Sequence, residues 1–214
     1  MGGCCGSRGD AILRCRRAVF GPVSADAGAE CWAGLEEVSL VEVRTGGAPN
    51  QATRVRVGWD GVDLRLLWRV EDDWVWANLT ERGAPLFTEE VVEFFVDPVG
   101  DGAAYFEVEL NPNNAVMEAA MRRIRSGYRK DFRWGCEGLR TAVQRREGGW
   151  DAEMAIPVAS LVGDSLPESG ARWRVNFTRI DRPRGLPREL SAWSPTGLAQ
   201  FHVPTCFGTV IFAD

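Results

Sequence analysis

Short segments in which apolar and polar residues alternate dominate the chain beyond Asn50, and this pattern restricts the fold more than any other feature. In Thr53–Trp59 the apolar residues recur at every second position, and residues 64–70 continue the pattern after the pair Asp60-Gly61. Successive side chains of a β-strand point to opposite faces, and Asp-Gly is a strong signal for a two-residue turn. The two runs therefore predict a β-hairpin.

Further runs of the same kind follow, separated by clusters of Gly, Pro, Asp and Asn. They cover residues 75–79, 91–96, 105–110, 139–145, 150–156, 173–180 and 207–212. Many short strands at near-regular spacing are typical of an all-β sandwich or barrel. One short helix is predicted at 157–161, because Pro157 suits a first helical turn. We therefore predict an all-β fold, a single antiparallel β-sandwich that is immunoglobulin-like or jelly-roll-like, with one short helix.

The first 29 residues differ from the rest of the chain. They are rich in Gly, Ala and Arg without sustained periodicity, so residues 1–29 are predicted to form a poorly ordered N-terminal extension. An all-β chain of 214 residues commonly folds as one domain. The sandwich is therefore expected over residues 30–214.

The overall charge argues against several classes of partner. A net charge of -5 and an isoelectric point near 5.1 give no general attraction to phosphate backbones or anionic membranes, so neither nucleic acid nor a membrane is expected. The basic run 122–133 is interrupted by apolar residues and is predicted to be a solvated loop face. No run approaches the roughly 20 apolar residues of a membrane span. The apolar run 11–13 is too short for a secretory signal, which leaves the compartment open.

Cysteines and acidic turns give weak indications of metal. The six cysteines include no CxxC pair and match no zinc framework. A pairing of Cys136 with Cys206 is left open, since it requires their α-carbons within about 7 Å. The acidic turns 71–73 and 97–101 offer oxygen ligands for a structural calcium, but neither has the spacing of an EF-hand. Solvated turns are the default interpretation.

Three glutamates share one face of the predicted sheet. Glu93 lies opposite Phe94 in its strand, and Glu107 and Glu109 stand together in the next strand. Such a face is either a solvent face or the floor of a polar groove, and alternation alone favours the solvent face. Paired carboxylates also serve glycoside hydrolases. No apolar pocket singles out one pair, so a non-catalytic role is preferred to a weakly hydrolytic or hydrolase-associated one.

Two aromatic residues in predicted loops stand near these carboxylates. Phe87 precedes the Glu93 strand, and Trp193 lies in the polar loop 191–196. Sugars stack their C–H faces on aromatic planes while their hydroxyls need polar partners. The combination suits a saccharide ligand, although ordinary loop packing explains Trp193 equally well.

Six strings taken in order resemble the family 9 carbohydrate-binding modules and their DOMON-like relatives. They are VGWD at 57–60, EVVEFFVD at 90–97, GGWDAEMAIP at 148–157, NFTRID at 176–181, AWSPT at 192–196 and FG at 207–208. Each string is weak alone, but six in register over about residues 31–214 are specific for the superfamily.

The resemblance implies a sandwich that binds a mono- or disaccharide, or a polysaccharide chain end, between two aromatic rings with structural calcium nearby. By position, Phe87 and Trp193 correspond to the two rings, Glu93 to an acidic contact and Thr178 to a polar contact. The ligand-binding residues predicted on this basis are Phe87, Glu93, Glu107, Glu109, Thr178, Arg179 and Trp193. No cofactor beyond the possible structural calcium is expected.

The chain also departs from the family pattern. Phe87 stands where the family usually has Trp, and Glu107 and Glu109 stand where it has a basic and an amide side chain. The resemblance implies an extracellular location and a separate glycoside hydrolase as a candidate partner. Some related sandwiches bind haem through Met and His, which is the remaining alternative. The residues available for it are Met117, Met121, Met154 and His202.

Overall fold

The computed structural model describes residues 11–214. Within this range the fold is all-β with one four-residue helix, α1 (Ala159–Val162). The strands are β1 (Ile12–Arg17), β2 (Glu37–Ser39), β3 (Val41–Glu42), β4 (Thr53–Trp59), β5 (Asp63–Glu71), β6 (Val91–Asp97), β7 (Ala104–Leu110), β8 (Val116–Ile124), β9 (Gly127–Asp131), β10 (Arg140–Arg146), β11 (Gly149–Pro157), β12 (Arg172–Asp181), β13 (Glu189–Ala192) and β14 (Gly208–Ala213). Short 3-10 turns cover Glu30–Trp32, Leu86–Thr88 and Pro204–Cys206. None of the described helices has the length and apolar character needed to cross a membrane.

The strands are hydrogen-bonded into one mixed sheet. Its main path runs β10-β11-β5-β4-β1-β14-β12-β6-β7-β8-β9, with β13 between β12 and β3 and with β2 on β4. Strand β1 runs parallel to both β14 and β4, whereas the other described pairings are antiparallel. The predicted purely antiparallel arrangement is therefore wrong at β1.

The sheet curls so that its two halves enclose a common core. Val57 and Trp68 from one half belong to the same buried apolar cluster as Phe94 and Phe177 from the other half. The rings of Trp68 and Phe177 meet edge-on with their centroids 6.2 Å apart. The predicted sandwich is thus matched in part, because two layers face each other but β1 joins them into one continuous sheet.

Strand β1 corrects the predicted N-terminal extension. Leu13 and Cys15 are fully buried, and the strand is held in register by pairing of Ile12 with Thr209. Its alternation is only six residues long and includes three arginines, which is too short a signal to stand out from its Gly-rich and Ala-rich surroundings. Ordered structure therefore begins well before residue 30, and residues 1–10 of the predicted extension lie outside the described residues.

The predicted hairpin and short helix are present. Strands β4 and β5 pair antiparallel across the Asp60-Gly61 turn, in which Asp60 Oδ1 accepts hydrogen bonds from the N–H groups of Val62 and Asp63. Gly61 adopts φ 98°, which favours glycine. Helix α1 begins later than predicted because Pro157 ends β11.

The predicted strand at residues 75–79 does not form. Its backbone is held by a side chain instead of a neighbouring strand, since the N–H groups of Asn78 and Leu79 donate to Glu89 Oε2 at 2.7 and 2.9 Å. A carboxylate that accepts two backbone hydrogens satisfies donors that a ladder would otherwise need. The alternating sequence is therefore not paired in the sheet, and the predicted strand is wrong.

The basic run 122–133 forms most of a hairpin. Strands β8 and β9 pair with Arg122 opposite Arg129, and both side chains are exposed. The predicted solvation is thus present, while the predicted loop is wrong.

The open question about Cys136 is also answered. Its thiol is free and lies 2.9 Å from Ser160 Oγ, so it does not pair with Cys206.

Candidate functional site

Three glutamates come together because β6 and β7 pair in a fixed register. Glu93 lies opposite Glu109, and Phe95 lies opposite Glu107, so all these side chains point to the same face of the sheet. Thr178 of β12 lies opposite Glu93 and donates its hydroxyl hydrogen to Glu93 Oε2 at 2.5 Å. Carboxylate oxygens of the three glutamates lie within 4.8 Å of one another. We call Glu93, Glu107 and Glu109 the glutamate triad.

The triad is buried, although alternation alone favoured a solvent face. Glu93, Glu107 and Glu109 are 2%, 2% and 1% exposed. A second apolar cluster covers this face, and it includes Leu86 from a 3-10 turn and Phe201 and Phe207 from the segment before β14. Phe201 and Phe207 are far from β6 and β7 in the sequence, whereas Leu86 lies in the turn that leads into β6. Strand alternation carries no information about them.

A cavity of about 170 Å³ opens beside the triad. Its buried acidic side is the triad, and Phe87 supplies an aromatic ring that is 40% exposed. Lys130 and Arg188, both exposed, also line the cavity. A second cavity of about 500 Å³ shares Arg188, Leu190 and Ala199 with the first, so the two are adjacent. The result is a small acidic cavity with an aromatic wall and a cationic rim.

Burial and mutual repulsion favour protonated carboxyl groups in the triad. Burial raises the pKa of Glu93 to about 8, with a further contribution from the charge of Glu107. Burial likewise raises the pKa of Glu107 to about 7. The pKa of Glu109 is well above its usual range, through burial and then through the charges of the other two. All three shift the same way, whereas a glycosidase separates its two carboxyl groups into a proton donor and a charged partner.

Two oxygens of the triad accept no hydrogen bond. They are Glu107 Oε2 and Glu109 Oε2, and both are buried. Lys130 Nζ lies 3.9 Å from Glu107 Oε2, which is an ion pair but exceeds hydrogen-bond length. These two oxygens are therefore acceptors without a donor.

Lys130 is held by His202 rather than by the triad. Its Nζ lies 2.7 Å from His202 Nε2, and burial together with the charge of Lys130 lowers the pKa of His202 to about 4. At neutral pH the imidazole is uncharged, so Nε2 accepts a hydrogen from the ammonium group and Nδ1 faces the Tyr105 hydroxyl at 3.0 Å. The imidazole thereby positions the cation at the rim.

Trp193 lies on the other side of the sheet from this cavity. The preceding residue, Ala192, pairs with Thr178 and shares the face of the triad, so the next side chain points the opposite way. The Trp193 ring packs on Phe177 of the core, with centroids 5.4 Å apart. The structure therefore does not bring Phe87 and Trp193 together as two walls of a clamp.

Arg179 also lies away from the cavity. It is 1% exposed, and its Nη2 lies 2.6 Å from Glu90, 3.1 Å from Asp72 and 3.3 Å from Asp181. These three carboxylates form a second acidic cluster whose oxygens lie within 4.8 Å of one another. A guanidinium already supplies the positive charge that calcium would bring. This cluster therefore does not fit the calcium implied by the family resemblance.

The second acidic turn does not fit calcium either. Asp97 Oδ1 and Oδ2 accept hydrogen bonds from the backbone of Gly100 and Gly102 at 2.7 and 2.8 Å. Asp101 Oδ1 accepts from the N–H of Ala103. These oxygens are committed to shaping the turn.

The candidate haem ligands are not brought to one place. Met154 belongs to the core between the two halves of the sheet, whereas Met117 and Met121 belong to the cluster on the triad side. Both ring nitrogens of His202 are engaged with Tyr105 and Lys130. The geometry gives no support to a Met and His pair of axial ligands.

Several residues of the cavity have no counterpart in the sequence prediction. Lys130 was assigned to a solvated basic run, and Arg188 and Phe201 carried no motif. Lys130 reaches the triad through the pairing of β8 with β9, Arg188 through the loop before β13, and Phe201 through the segment before β14. A charge pattern cannot reveal that one cation of a run points into a cavity.

Comparison with known proteins gives the same fold. No curated protein sequence matches the chain. A candidate carbohydrate-binding protein from Bacteroides uniformis ATCC 8492 has 21% identity and a TM-score of 0.76, over 94% of this chain and 98% of that chain. A family 9 carbohydrate-binding module from Caldicellulosiruptor kristjanssonii, in complex with cellotriose, has 14% identity and a TM-score of 0.72, over 94% and 93%.

The same organism provides a further family 9 module structure, in complex with glucose. It has 17% identity and a TM-score of 0.65, over 93% of this chain and 95% of that chain. At such identities these structures show a shared fold. The family described as carbohydrate family 9 binding domain-like matches residues 24–214, which include every strand from β2 to β14 and every residue of the cavity. The chain therefore belongs to the carbohydrate family 9 binding domain-like family.

Proposed function

We propose that this chain is a non-catalytic carbohydrate-binding protein whose cavity beside the glutamate triad holds one sugar unit. The observation that carries the proposal is the exposed ring of Phe87 in the same small cavity as three buried carboxyl groups. The ring offers a plane for the C–H face of a pyranose, and the carboxyl oxygens accept hydroxyl hydrogens. The family match, and the glucose and cellotriose bound by structural relatives, support this ligand class.

The dimensions of the cavity favour a single ring. Its volume of about 170 Å³ is below the roughly 300 to 1,000 Å³ of pockets that enclose drug-sized ligands. The neighbouring cavity of about 500 Å³ provides room for further sugar units along the surface. The proposed ligand is therefore a monosaccharide, a disaccharide or the end of a longer chain.

The predicted site residues divide into two groups in this proposal. Phe87 and the triad contact the sugar, and Thr178 positions Glu93 through its 2.5 Å hydrogen bond. Trp193 and Arg179 act on the scaffold, because one packs on the core and the other neutralises a separate acidic cluster. Binding in this scheme uses side chains alone and needs no haem.

The proposal predicts that loss of the Phe87 ring weakens sugar binding. We expect Phe87→Ala to reduce the affinity for glucose and cellotriose by about 1 to 2 kcal/mol, or roughly 5- to 30-fold, because the sugar loses its apolar contact. Isothermal titration calorimetry measures this directly. Phe132→Ala is a matched control, since Phe132 is 59% exposed and lies outside the cavity lining.

Two results would contradict the proposal. Equal affinities for wild type and Phe87→Ala would remove the cavity from sugar binding, and a loss of affinity in a folded Trp193→Phe variant would return that ring to the site. Release of reducing sugar from cello-oligosaccharides, abolished in Glu93→Gln, would identify a glycoside hydrolase instead. We expect no release.

A further inference from the structure

The glutamate triad is buried without a cation or a full set of hydrogen-bond donors from the described residues in contact with it. Three carboxyl groups converge here at 1 to 2% exposure. Buried carboxylates are costly unless they are paired with a cation and hydrogen-bonded. Glu107 Oε2 and Glu109 Oε2 have no hydrogen-bond partner, and Lys130 stays 3.9 Å away because His202 holds it.

The triad oxygens are close enough together to surround one ammonium group. An ammonium nitrogen presents three hydrogens in a tetrahedral arrangement, and charge-assisted N–H···O bonds are about 2.7 to 2.9 Å long. Three acceptors around such a nitrogen then lie roughly 4.4 to 4.7 Å apart. The triad oxygens lie within 4.8 Å of one another. The triad lines the same cavity as Phe87. A sugar ring stacked on Phe87 would therefore hold its substituents beside the triad.

A divalent metal fits the same oxygens less well. Calcium takes six to eight oxygen ligands, while among residues 11–214 the triad supplies the only acidic groups that line the cavity. Glu93 Oε2 is also committed to the Thr178 hydroxyl. Lys130 and Arg188 line the same cavity, and two cations repel a doubly charged ion more strongly than a singly charged one.

We propose that the sugar unit held beside Phe87 is a hexosamine with a free amino group, whose ammonium binds among Glu93, Glu107 and Glu109. The inference rests on the proposed function, because it names the class of sugar for the same site. The amine takes the two oxygens that lack a donor, and the remaining hydroxyls face the neutral polar groups of the cavity, such as the amide of Gln200.

Binding of an ammonium should also release protons. The pKa values of Glu93 and Glu107 are about 8 and about 7, mainly through burial, so these groups hold protons near neutral pH. A cation placed among them favours the charged carboxylates and lowers their pKa values. A neutral sugar has no such effect. Titrations in two buffers with different ionisation enthalpies distinguish the two cases.

The test compares three monosaccharides that differ only at C2. Glucosamine, N-acetylglucosamine and glucose are titrated into the full chain at pH 6.5, and we expect glucosamine to bind at least 10-fold more tightly than glucose. Glu107→Gln and Glu109→Gln should bring the ratio of the two affinities close to one. Glu137→Gln is the matched control, because Glu137 is exposed and lies outside the cavity. Proton release should accompany glucosamine alone.

Each contrary outcome has a distinct meaning. Equal binding of glucosamine and glucose overturns the amino-sugar inference and leaves the proposed function standing. If none of the three monosaccharides binds and cellotriose does not bind either, the proposed function is overturned as well. Titration with calcium chloride in the absence of sugar checks the metal alternative, and a calcium affinity lost in Glu107→Gln overturns the ammonium assignment.

Discussion

The glutamate triad shows which properties of a side chain a sequence can predict. Alternation placed Glu93, Glu107 and Glu109 on one face, and the structure brings the three together. Burial was not predictable, because much of the cover comes from Phe201 and Phe207, which lie about 90 residues or more after β7 in the sequence. The direction of each side chain is thus a local property, whereas its solvation depends on long-range contacts.

Protons on the triad predict a specific dependence of stability on pH. In the native state Glu93 and Glu107 keep protons up to about pH 8 and 7, whereas glutamates of the unfolded chain lose theirs near pH 4.3. Between these values the native state binds more protons, so the free energy of unfolding falls as pH rises. The lowered pKa of His202, about 4, has the opposite effect, but that effect is confined below about pH 6.5.

Glu107→Gln should therefore flatten the profile above pH 6.5. The variant removes one titrating group and the charge that helps to raise the pKa of Glu93. We expect the wild type to lose about 1 kcal/mol more than the variant between pH 6.5 and 8.5, since one pKa unit corresponds to about 1.4 kcal/mol. Urea denaturation at the two pH values measures the difference. If the free energy of unfolding falls equally in wild type and Glu107→Gln between the two pH values, the triad does not hold these protons.

Among the strands, those with long alternating runs were predictable and those with charged or short sequences were not. Thr53–Trp59 and its partner β5 follow the pattern closely. Strands β8 and β9 carry arginines that suggested a loop, and their pairing supplies Lys130 to the cavity. The face of Trp193 depends on the short strand β13, which the sequence did not indicate. An error of one residue in its register would exchange the two faces.

The close contact between Trp193 and β14 predicts that Gly208 cannot be enlarged. A Cβ at Gly208 would lie 2.4 Å from Trp193 Cζ3 and 2.9 Å from the Ala11 carbonyl oxygen. We expect Gly208→Ala to lower the free energy of unfolding by about 1 to 3 kcal/mol, which is typical of overpacking. Gly135→Ala is the control, because a Cβ there meets nothing within 4 Å.

A double-mutant cycle assigns this cost to the ring. Trp193→Phe removes the atoms that collide with the new Cβ, so Gly208→Ala should cost less in that background, with a coupling of about 0.5 kcal/mol or more. Additive effects in chemical denaturation would show that the Trp193 ring is not packed on β14. They would also reopen the question of which face the ring occupies.

The continuity of the sheet depends on a strand outside the family match. The match begins at residue 24, whereas β1 covers Ile12–Arg17 and bonds to β14 on one side and to β4 on the other. The six strings that identify the family also lie beyond it. Motif resemblance therefore gave the family but not the strand that joins the two halves. Length and composition alone suggested an unstructured extension there.

Neighbouring residues of β1 provide the test of its structural role. Leu13 is fully buried between the two halves of the sheet, and Ile12 is 50% exposed on the same strand. We expect Leu13→Ala to lower the free energy of unfolding by about 2 to 5 kcal/mol, through lost burial and the cavity it leaves. Ile12→Ala should cost less than about 0.5 kcal/mol, as at most exposed sites. Urea denaturation followed by tryptophan fluorescence measures both variants. Equal, small effects would mean that β4 and β14 hold their positions without β1, and the two layers would then be independent sheets.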